Sequence, residues 1–150
     1  MKSILVPTDF SQESTAAFRV AREQAKILDS ARIEIVYVLE LPAYLSSPAE
    51  LGAGWADTGP IIKDLEAAAI NRLKNLAAEH FPGLKIDLKV LHSLNPIAVQ
   101  LTEYAKSSGI DMLVMATHGR RGVNRMLVGS VTERLVRRPP CAMLIVPVRA

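Results

Sequence analysis

The segment that decides the fold runs from residue 112 to residue 133, MLVMATHGRRGVNRMLVGSVTE. It begins with an apolar run, Met112–Met115, that predicts a buried strand. It ends with Ser130–Glu133, whose Ser-x-x-Glu pattern is typical of a capping box and predicts a helix with its serine as the cap. Gly119 and Gly129 lie at the two ends of the loop between them. The segment therefore predicts a strand, a glycine-bounded loop and a helix in succession.

A loop of this kind in front of a helix predicts a site for an anion. Glycine lets the backbone approach a ligand closely, and the first free N–H groups of the helix point toward that ligand. Six arginines lie between Arg120 and Arg138, against the single acidic residue Glu133. We therefore expect a phosphate-bearing ligand at this end of the helix.

Strand-like and helix-like segments alternate along the whole chain, which is typical of a parallel sheet built from βα repeats. The predicted strands are Ile4–Val6, Ile33–Val38, Leu84–Leu91, Asp111–Ala116 and Ala142–Val146. The predicted helices run from Ser11 to Leu28, from Pro60 to His80, from Asn95 to Ser107 and from Ser130 to Arg138. Ser11, Asn95 and Ser130 are the predicted caps of the first, third and fourth helices. A chain of this length, residues 1–150, is predicted to form one domain.

The apolar patterns also predict the order of the strands. The first and fourth strands are continuously apolar, as expected when helices cover both faces of the sheet. The third strand alternates apolar residues with Asp87 and Lys89, so one of its faces is expected to be wet and the strand to lie at an edge. The order 3-2-1-4-5 satisfies this pattern and keeps each crossover right-handed. The predicted fold is a Rossmann-like α/β fold: an open five-stranded parallel sheet with helices on both faces.

In that order the direction of the connections reverses between the first and fourth strands. Ligands of open α/β sheets bind at the carboxyl ends of the strands at such a reversal. The loops that meet there are Pro7-Thr8-Asp9 and residues 116–119. Asp9 would accept hydrogen bonds from hydroxyl groups of a ligand. The alternative role for Asp9 is to cap the following helix together with Ser11.

The fifth strand, Ala142–Val146, is predicted at the other edge although it is apolar throughout. An exposed apolar edge invites pairing with another chain. We infer a homodimer in which the same strand of a second copy covers it across a two-fold axis. The alternative is that the C-terminal residues of the same chain shield this edge.

Composition excludes several partners and compartments. The formal net charge is +3 and its excess is confined to one loop and helix, so no nucleic acid partner is expected. The only cysteine, Cys141, cannot form an internal disulfide, which favours a reducing compartment. No apolar stretch is long enough for a signal peptide or a membrane span. We therefore expect a cytoplasmic protein with no membrane contact.

Known catalytic patterns are absent from the sequence. There is no GxxxxGK[ST] loop, no GxGxxG after the first strand and no nucleophile elbow. His118 has no carboxylate nearby in the sequence to orient it as a base, and the spacing of His80 and His92 suggests no metal site. No catalytic residue and no metal-ligating residue is predicted, and the chain is not expected to be an enzyme.

Two parts of the chain carry a resemblance to a known family. Gly119, residues 120–128 and the pair Gly129-Ser130 follow a motif of Gly, two residues, Gly, nine residues, and Gly followed by Ser or Thr, with Ala116 in place of the first glycine. Residues 4–11, ILVPTDFS, match a characteristic opening. The chain resembles the ATP-binding members of the universal stress protein family over nearly its whole length.

The resemblance implies a Rossmann-like domain, usually homodimeric through the last strand, that binds ATP with Mg²⁺ as a candidate companion ion. The resemblance implies that the adenine and the nucleoside are contacted by Pro7, Thr8, Asp9 and Val38. It places at the phosphates the residues Gly119, Gly129, Ser130, Val131 and Thr132. The loop after the fourth strand adds Met115, Ala116, His118 and Arg120 to the predicted site, where Arg120 can pair with phosphate oxygens and His118 can donate a hydrogen bond to them.

Three functional hypotheses remain open from the sequence. The favoured one is an ATP-binding stress-response or regulatory protein that hydrolyses ATP slowly at most. The second is an interaction module of the same family that binds no nucleotide. It is motivated by Ala116, whose methyl group disfavours a backbone with positive φ. The third is a hydrolase or a nucleotidyl-transfer enzyme that uses His118.

Overall fold

The computed structural model describes residues 2–28, 31–41, 59–117 and 129–148. Its strands are β1 (Ser3–Pro7), β2 (Arg32–Glu40), β3 (Ile86–Ser93), β4 (Met112–Ala116) and β5 (Ala142–Val146). Its helices are α1 (Ala16–Ile27), α2 (Gly59–His80), α3 (Ile97–Ser107) and α4 (Ser130–Arg137). The strands form one parallel sheet in the order β3-β2-β1-β4-β5, which confirms the predicted fold class and strand order.

Helices cover both faces of this sheet. On one face α1 and α2 contribute buried side chains such as Phe18 and Leu73. On the other face α3 and α4 contribute buried side chains such as Leu101 and Leu135. The side chains of β1 alternate between the two clusters, and none of its three apolar residues, Ile4–Val6, is exposed to solvent. The apolar sequence of β1 is therefore explained by burial on both sides.

Two predicted boundaries are displaced by local turns. The first helix begins at Ala16 rather than directly after Ser11, because a turn intervenes in which the Ser11 hydroxyl accepts a hydrogen bond from the Ser14 N–H at 3.1 Å. The third strand begins at Ile86 rather than at Leu84. Gly83 takes a left-handed conformation, φ +75°, after α2, and this turn extends the connection by two residues.

The predicted helix caps Asn95 and Ser130 are wrong by one residue each. In α3 the cap is Pro96, whose extended backbone lets its carbonyl accept the first helical hydrogen bonds. In α4 the cap is Gly129, with φ −67° and ψ 155°, and its carbonyl accepts a hydrogen bond from the Glu133 N–H at 2.8 Å. Neither helix has a hydrogen bond from a capping side chain. The backbone conformation decides the cap here, and the predicted capping box does not form.

The fifth strand lies at an edge, as predicted, and pairs within this chain with β4. Its residues from Met143 to Val146 are half-buried. Cys141 lies just before it, and burial, together with the negative charge of Asp111, raises the pKa of its thiol. The thiol is therefore protonated at neutral pH and behaves as a small apolar side chain.

A buried carboxylate joins β2 to α3 near the amino end of the sheet. The Glu34 side chain is only 4% exposed and accepts hydrogen bonds from Arg32 at 2.7 Å and from the Tyr104 hydroxyl. Arg32 also forms an ion pair with Asp87 of β3 at 2.6 Å. Burial and the hydrogen bond to Glu34 raise the pKa of Tyr104 above 10.0. The network satisfies a charge that would be costly if it were left unpaired.

We predict that Tyr104→Phe lowers the free energy of unfolding at pH 7 by about 1–3 kcal/mol, because buried Glu34 loses a donor. The raised pKa adds a pH dependence. The tyrosinate forms more readily in the unfolded chain, so the wild type loses stability as pH rises through and above 10.0, whereas the variant lacks this loss. Urea unfolding at pH 7 and in steps above pH 9 measures both effects. A difference between the two proteins that stays constant across this range would contradict the assignment.

Candidate functional site

A cavity of about 150 Å³ opens at the carboxyl ends of β1 and β4, where the direction of the connections reverses. It is lined by residues from both of these strands, from β2, from the turn before α1 and from the starts of α3 and α4. The lining residues are Pro7, Thr8, Asp9, Ser14, Tyr37, Val38, Ile97, Leu101, Met115, Ala116, Gly129, Ser130, Val131 and Thr132. Each predicted site residue that the structure describes lies in this lining.

The loop after β1 is held by hydroxyl groups. Thr8 and Ser14 are buried, and their side-chain oxygens are 2.8 Å apart. The Thr8 Oγ1 also accepts a hydrogen bond from the N–H of Phe10 at 3.0 Å. Asp9 Oδ1 accepts hydrogen bonds from the N–H of Ser11 at 3.0 Å and from its hydroxyl at 2.5 Å. Asp9 therefore organises the turn before α1 and lines the cavity at the same time.

The start of α4 is fixed to the end of β4 by two hydrogen bonds. The Gly129 N–H donates to the Thr117 carbonyl at 2.6 Å. The hydroxyl of Thr132, a buried residue, donates to the Ala116 carbonyl at 3.0 Å. These bonds place the first turn of α4 beside the strand and so bring its residues to the cavity.

The first turn of α4 supplies hydrogen-bond donors to the cavity. The first intrahelical hydrogen bond runs from Glu133 to the carbonyl of Gly129, so the N–H groups of the preceding residues, Ser130–Thr132, have no acceptor within the helix. The aligned peptide dipoles give this end of the helix a partial positive charge. The same residues line the cavity. The arrangement can bind a negatively charged group.

Alanine is compatible with the backbone at position 116. Ala116 is the last residue of β4 and pairs with Val146 of β5. Within the described ranges Phe10 is the one residue other than glycine with positive φ. Ala116 therefore keeps the extended conformation that any residue can adopt, and its methyl group causes no backbone strain.

The remaining walls of the cavity are mostly apolar. The predicted residues among them are Pro7, Val38 and Met115. The sequence-based prediction missed Ser14, Tyr37, Ile97 and Leu101, which also line the cavity. Helical spacing places Ile97 and Leu101 on one face of α3, but the sequence does not show that the amino end of this face reaches the switch point.

Some predictions lie beyond what the structure describes. His118, Gly119 and Arg120 fall outside the described residues, together with Arg121 and Arg125. Among the described residues, no group of three or more His, Cys, Asp or Glu side chains is arranged to hold a metal ion. In the same part of the chain, no helix is long and apolar enough to span a bilayer.

Known proteins are similar to this chain in sequence and in fold. The profile of the Universal stress protein family matches residues 1–147. Universal stress protein MJ0531 of Methanocaldococcus jannaschii is 32% identical over 145 residues, which are 97% of this chain and 81% of that protein. The solved structure of MJ0577 from the same organism superposes with a TM-score of 0.79 at 23% identity, covering 99% of this chain and 97% of that one.

A third relative was solved with a ligand. The structure of a universal stress protein family protein from Arabidopsis thaliana with AMP bound superposes with a TM-score of 0.63 at 16% identity, covering 100% of this chain and 94% of that one. At this identity the superposition shows a shared fold. Together with the family profile over residues 1–147 and the relative at 32% identity, these likenesses establish that the chain belongs to the universal stress protein family.

Proposed function

We propose that this chain is a regulatory stress-response protein that binds an adenine nucleotide, with ATP as the favoured ligand, in the cavity between β1 and β4. The observation that carries the proposal is that one cavity is lined both by an acidic residue and by the partially positive amino end of a helix. Asp9 lies in the lining together with the amino end of α4, residues Gly129–Thr132. A ligand that offers hydroxyl donors at one end and an anion at the other satisfies both.

The cavity suggests a role for each group of residues. The apolar side chains of Pro7, Val38 and Met115 would border the adenine, as Thr8 would beside them. Asp9 would accept hydrogen bonds from the ribose hydroxyls, and the negative charge of its carboxylate would strengthen these bonds. The volume of about 150 Å³ is below the roughly 300–1,000 Å³ common for ligand pockets, so the cavity would hold only part of a nucleotide and the rest would extend out of it.

The phosphates would then lie toward the amino end of α4. The free N–H groups of Ser130–Thr132 and the Ser130 hydroxyl, which makes no capping hydrogen bond, are the donors available there. We further propose that Gly119, Arg120 and His118 complete the phosphate site from the loop. Mg²⁺, where it accompanies ATP, would be coordinated by the phosphates. The AMP bound to the Arabidopsis relative supports an adenine nucleotide as the ligand class.

The proposal assigns no catalytic residue. We expect hydrolysis of bound ATP to be slow at most, because no general base with an orienting partner is predicted in the site. The bound state would act through partners or through the dimer. A compartment that keeps thiols reduced, such as the cytoplasm, suits a chain whose single cysteine, Cys141, cannot pair internally.

We predict that ATP raises the melting temperature of the wild type by roughly 5–10 °C at a hundredfold excess over Kd. Asp9→Asn should weaken ATP binding by about tenfold or more, because a hydrogen bond to a charged acceptor becomes one to a neutral acceptor. Asparagine keeps an oxygen for the Ser11 donors, so the turn before α1 should persist. Calorimetric titration and thermal shift measure both effects.

The matched control for that experiment is Asp64→Asn, which removes the same charge from an exposed position on α2 outside the cavity lining. Its ATP affinity should equal that of the wild type. The absence of any thermal shift at millimolar ATP, combined with the absence of nucleotide in extracts of the purified protein, would refute the proposed function.

Replacement of Ala116 by glycine distinguishes the proposed nucleotide-binding protein from the alternative, an interaction module that binds no nucleotide. Because Ala116 already has an extended strand backbone, Ala116→Gly should change the affinity for ATP by less than about threefold. Calorimetric titration of both proteins with ATP measures the ratio. A large gain in affinity would instead identify the alanine as the element that prevents nucleotide binding in this chain.

We also propose a homodimer through β5. The strand is apolar and lies at an edge, beside an open groove of about 1,060 Å³ that residues 12–20 and 144–148 line in part. An edge of this kind has unpaired backbone groups that a second copy of the strand can satisfy. The groove leaves room for the partner next to the strand.

We predict that the wild type sediments at twice the chain mass of 16.3 kDa at micromolar concentration. Leu144→Lys places a charge on the half-buried edge strand and should give a monomer, because pairing would bury an unmatched ammonium group. Val136→Lys on α4, where the valine is 51% exposed, is the matched control and should remain dimeric. Analytical ultracentrifugation decides, and a monomeric wild type would refute the dimer.

A further inference from the structure

Phe10, the residue after Asp9, has a backbone conformation that bulky side chains rarely adopt. Its φ is 65°, and within the described ranges it is the one residue other than glycine with positive φ. A conformation of this kind is strained for an aromatic residue and persists where the surrounding structure holds it. The contacts around Phe10 therefore indicate what this strained turn does.

The backbone of Phe10 sets the position of the Asp9 carboxylate. The hydrogen bond from the Ser11 N–H to Asp9 Oδ1, 3.0 Å, spans Phe10, so the φ of Phe10 determines where the donor meets the acceptor. The Phe10 N–H itself donates to Thr8 Oγ1 at 3.0 Å. The left-handed turn thus connects the two polar residues at the end of β1 that line the cavity.

The ring of Phe10 is anchored on two other elements. Its centroid is 4.5 Å from that of Tyr37 on β2, with the ring planes tilted by 39°. The guanidinium carbon of Arg72 on α2 lies 4.0 Å from the Phe10 centroid, a geometry in which the cation is attracted to the ring. Tyr37 belongs to the cavity lining, whereas Phe10 does not. Phe10 is therefore tied to the cavity wall from outside the cavity.

We propose that Phe10 is a positioning residue for the nucleotide and that Arg72 and Tyr37 hold it in place. The anchored ring keeps the left-handed turn formed, and the turn directs the Asp9 carboxylate toward the ribose hydroxyls. The inference rests on the proposed function, because it requires a nucleotide in the cavity. It adds to that function two residues, Phe10 and Arg72, that act through Asp9 without contacting the ligand.

A positioning role differs from a merely structural one in its effect on ligand selectivity. If Phe10 acts through Asp9, its loss should weaken the binding of nucleotides that carry ribose hydroxyls. It should leave unaffected a nucleotide that lacks them, since such a ligand does not use the carboxylate. If Phe10 only stabilises the fold, its loss should affect both ligands equally.

The experiment is calorimetric titration of the full-length chain with ATP and with 2′,3′-dideoxy-ATP. Phe10→Ala should lower the affinity for ATP by about tenfold and that for the dideoxy nucleotide by less than about twofold. Arg72→Gln should act in the same direction, with a loss for ATP of about two- to fivefold, because it removes the cation that lies over the Phe10 ring and keeps a polar side chain at this exposed position. Lys74→Gln, an exposed cation two residues along α2, is the matched control and should leave both affinities unchanged.

Equal losses for the two ligands, or no loss in either variant, would overturn the positioning role while ATP binding by the wild type persists. A wild type that binds no ATP would refute the proposed function itself, so the two failures are distinguishable. Circular dichroism reports whether Phe10→Ala folds. If it does not fold, Arg72→Gln decides alone, because Arg72 is exposed and its replacement removes no buried side chain.

Discussion

The hydrogen bonds between the end of β4 and the start of α4 are the constraint on which the site depends. The packing of Leu135 holds α4 on one face of the sheet, and hydrogen bonds from its first turn attach its amino end to the end of β4. Thr132 and Gly129 make that attachment through the Ala116 and Thr117 carbonyls. Because β4 lies next to β1, fixing α4 to β4 also fixes it relative to the loop that carries Asp9. The cavity is therefore a consequence of strand order combined with two hydrogen bonds.

The two charged features of the cavity select for a ligand of mixed character. A simple anion would be attracted by the amino end of α4 but repelled by Asp9. A simple cation would be attracted by Asp9 but repelled by the amino end of α4. A molecule with hydroxyl donors at one end and a phosphate at the other matches both features. The apolar walls formed by residues such as Val38 and Met115 add a surface for a flat base. This combination is the physical reason to favour a nucleotide over inorganic phosphate.

Much of the architecture could be predicted because it depends on periodic patterns. The alternation in β3 and the continuous apolarity of β1 and β4 are expected from burial on one face or on two. Together with the right-handed crossover rule, they predicted the strand order. The helix caps could not be predicted this way, since the choice of Gly129 over Ser130 and of Pro96 over Asn95 depends on backbone angles. The contribution of Tyr37 to the cavity depends on how the loop after β1 packs, which no local pattern encodes.

Positions 10 and 116 show how backbone strain is distributed around the cavity. The family motif has a glycine where this chain has Ala116, yet the backbone there is extended and glycine is not required. The strained conformation lies instead at Phe10, where glycine would relieve roughly 1–3 kcal/mol of strain but would remove the ring. The ring contacts Tyr37 and Arg72, and these contacts offset part of that cost. The ring also packs against the core on the α1 and α2 face of the sheet, so its burial and its contacts together offset the strain. In the proposed role, this same packing would hold the turn that orients Asp9.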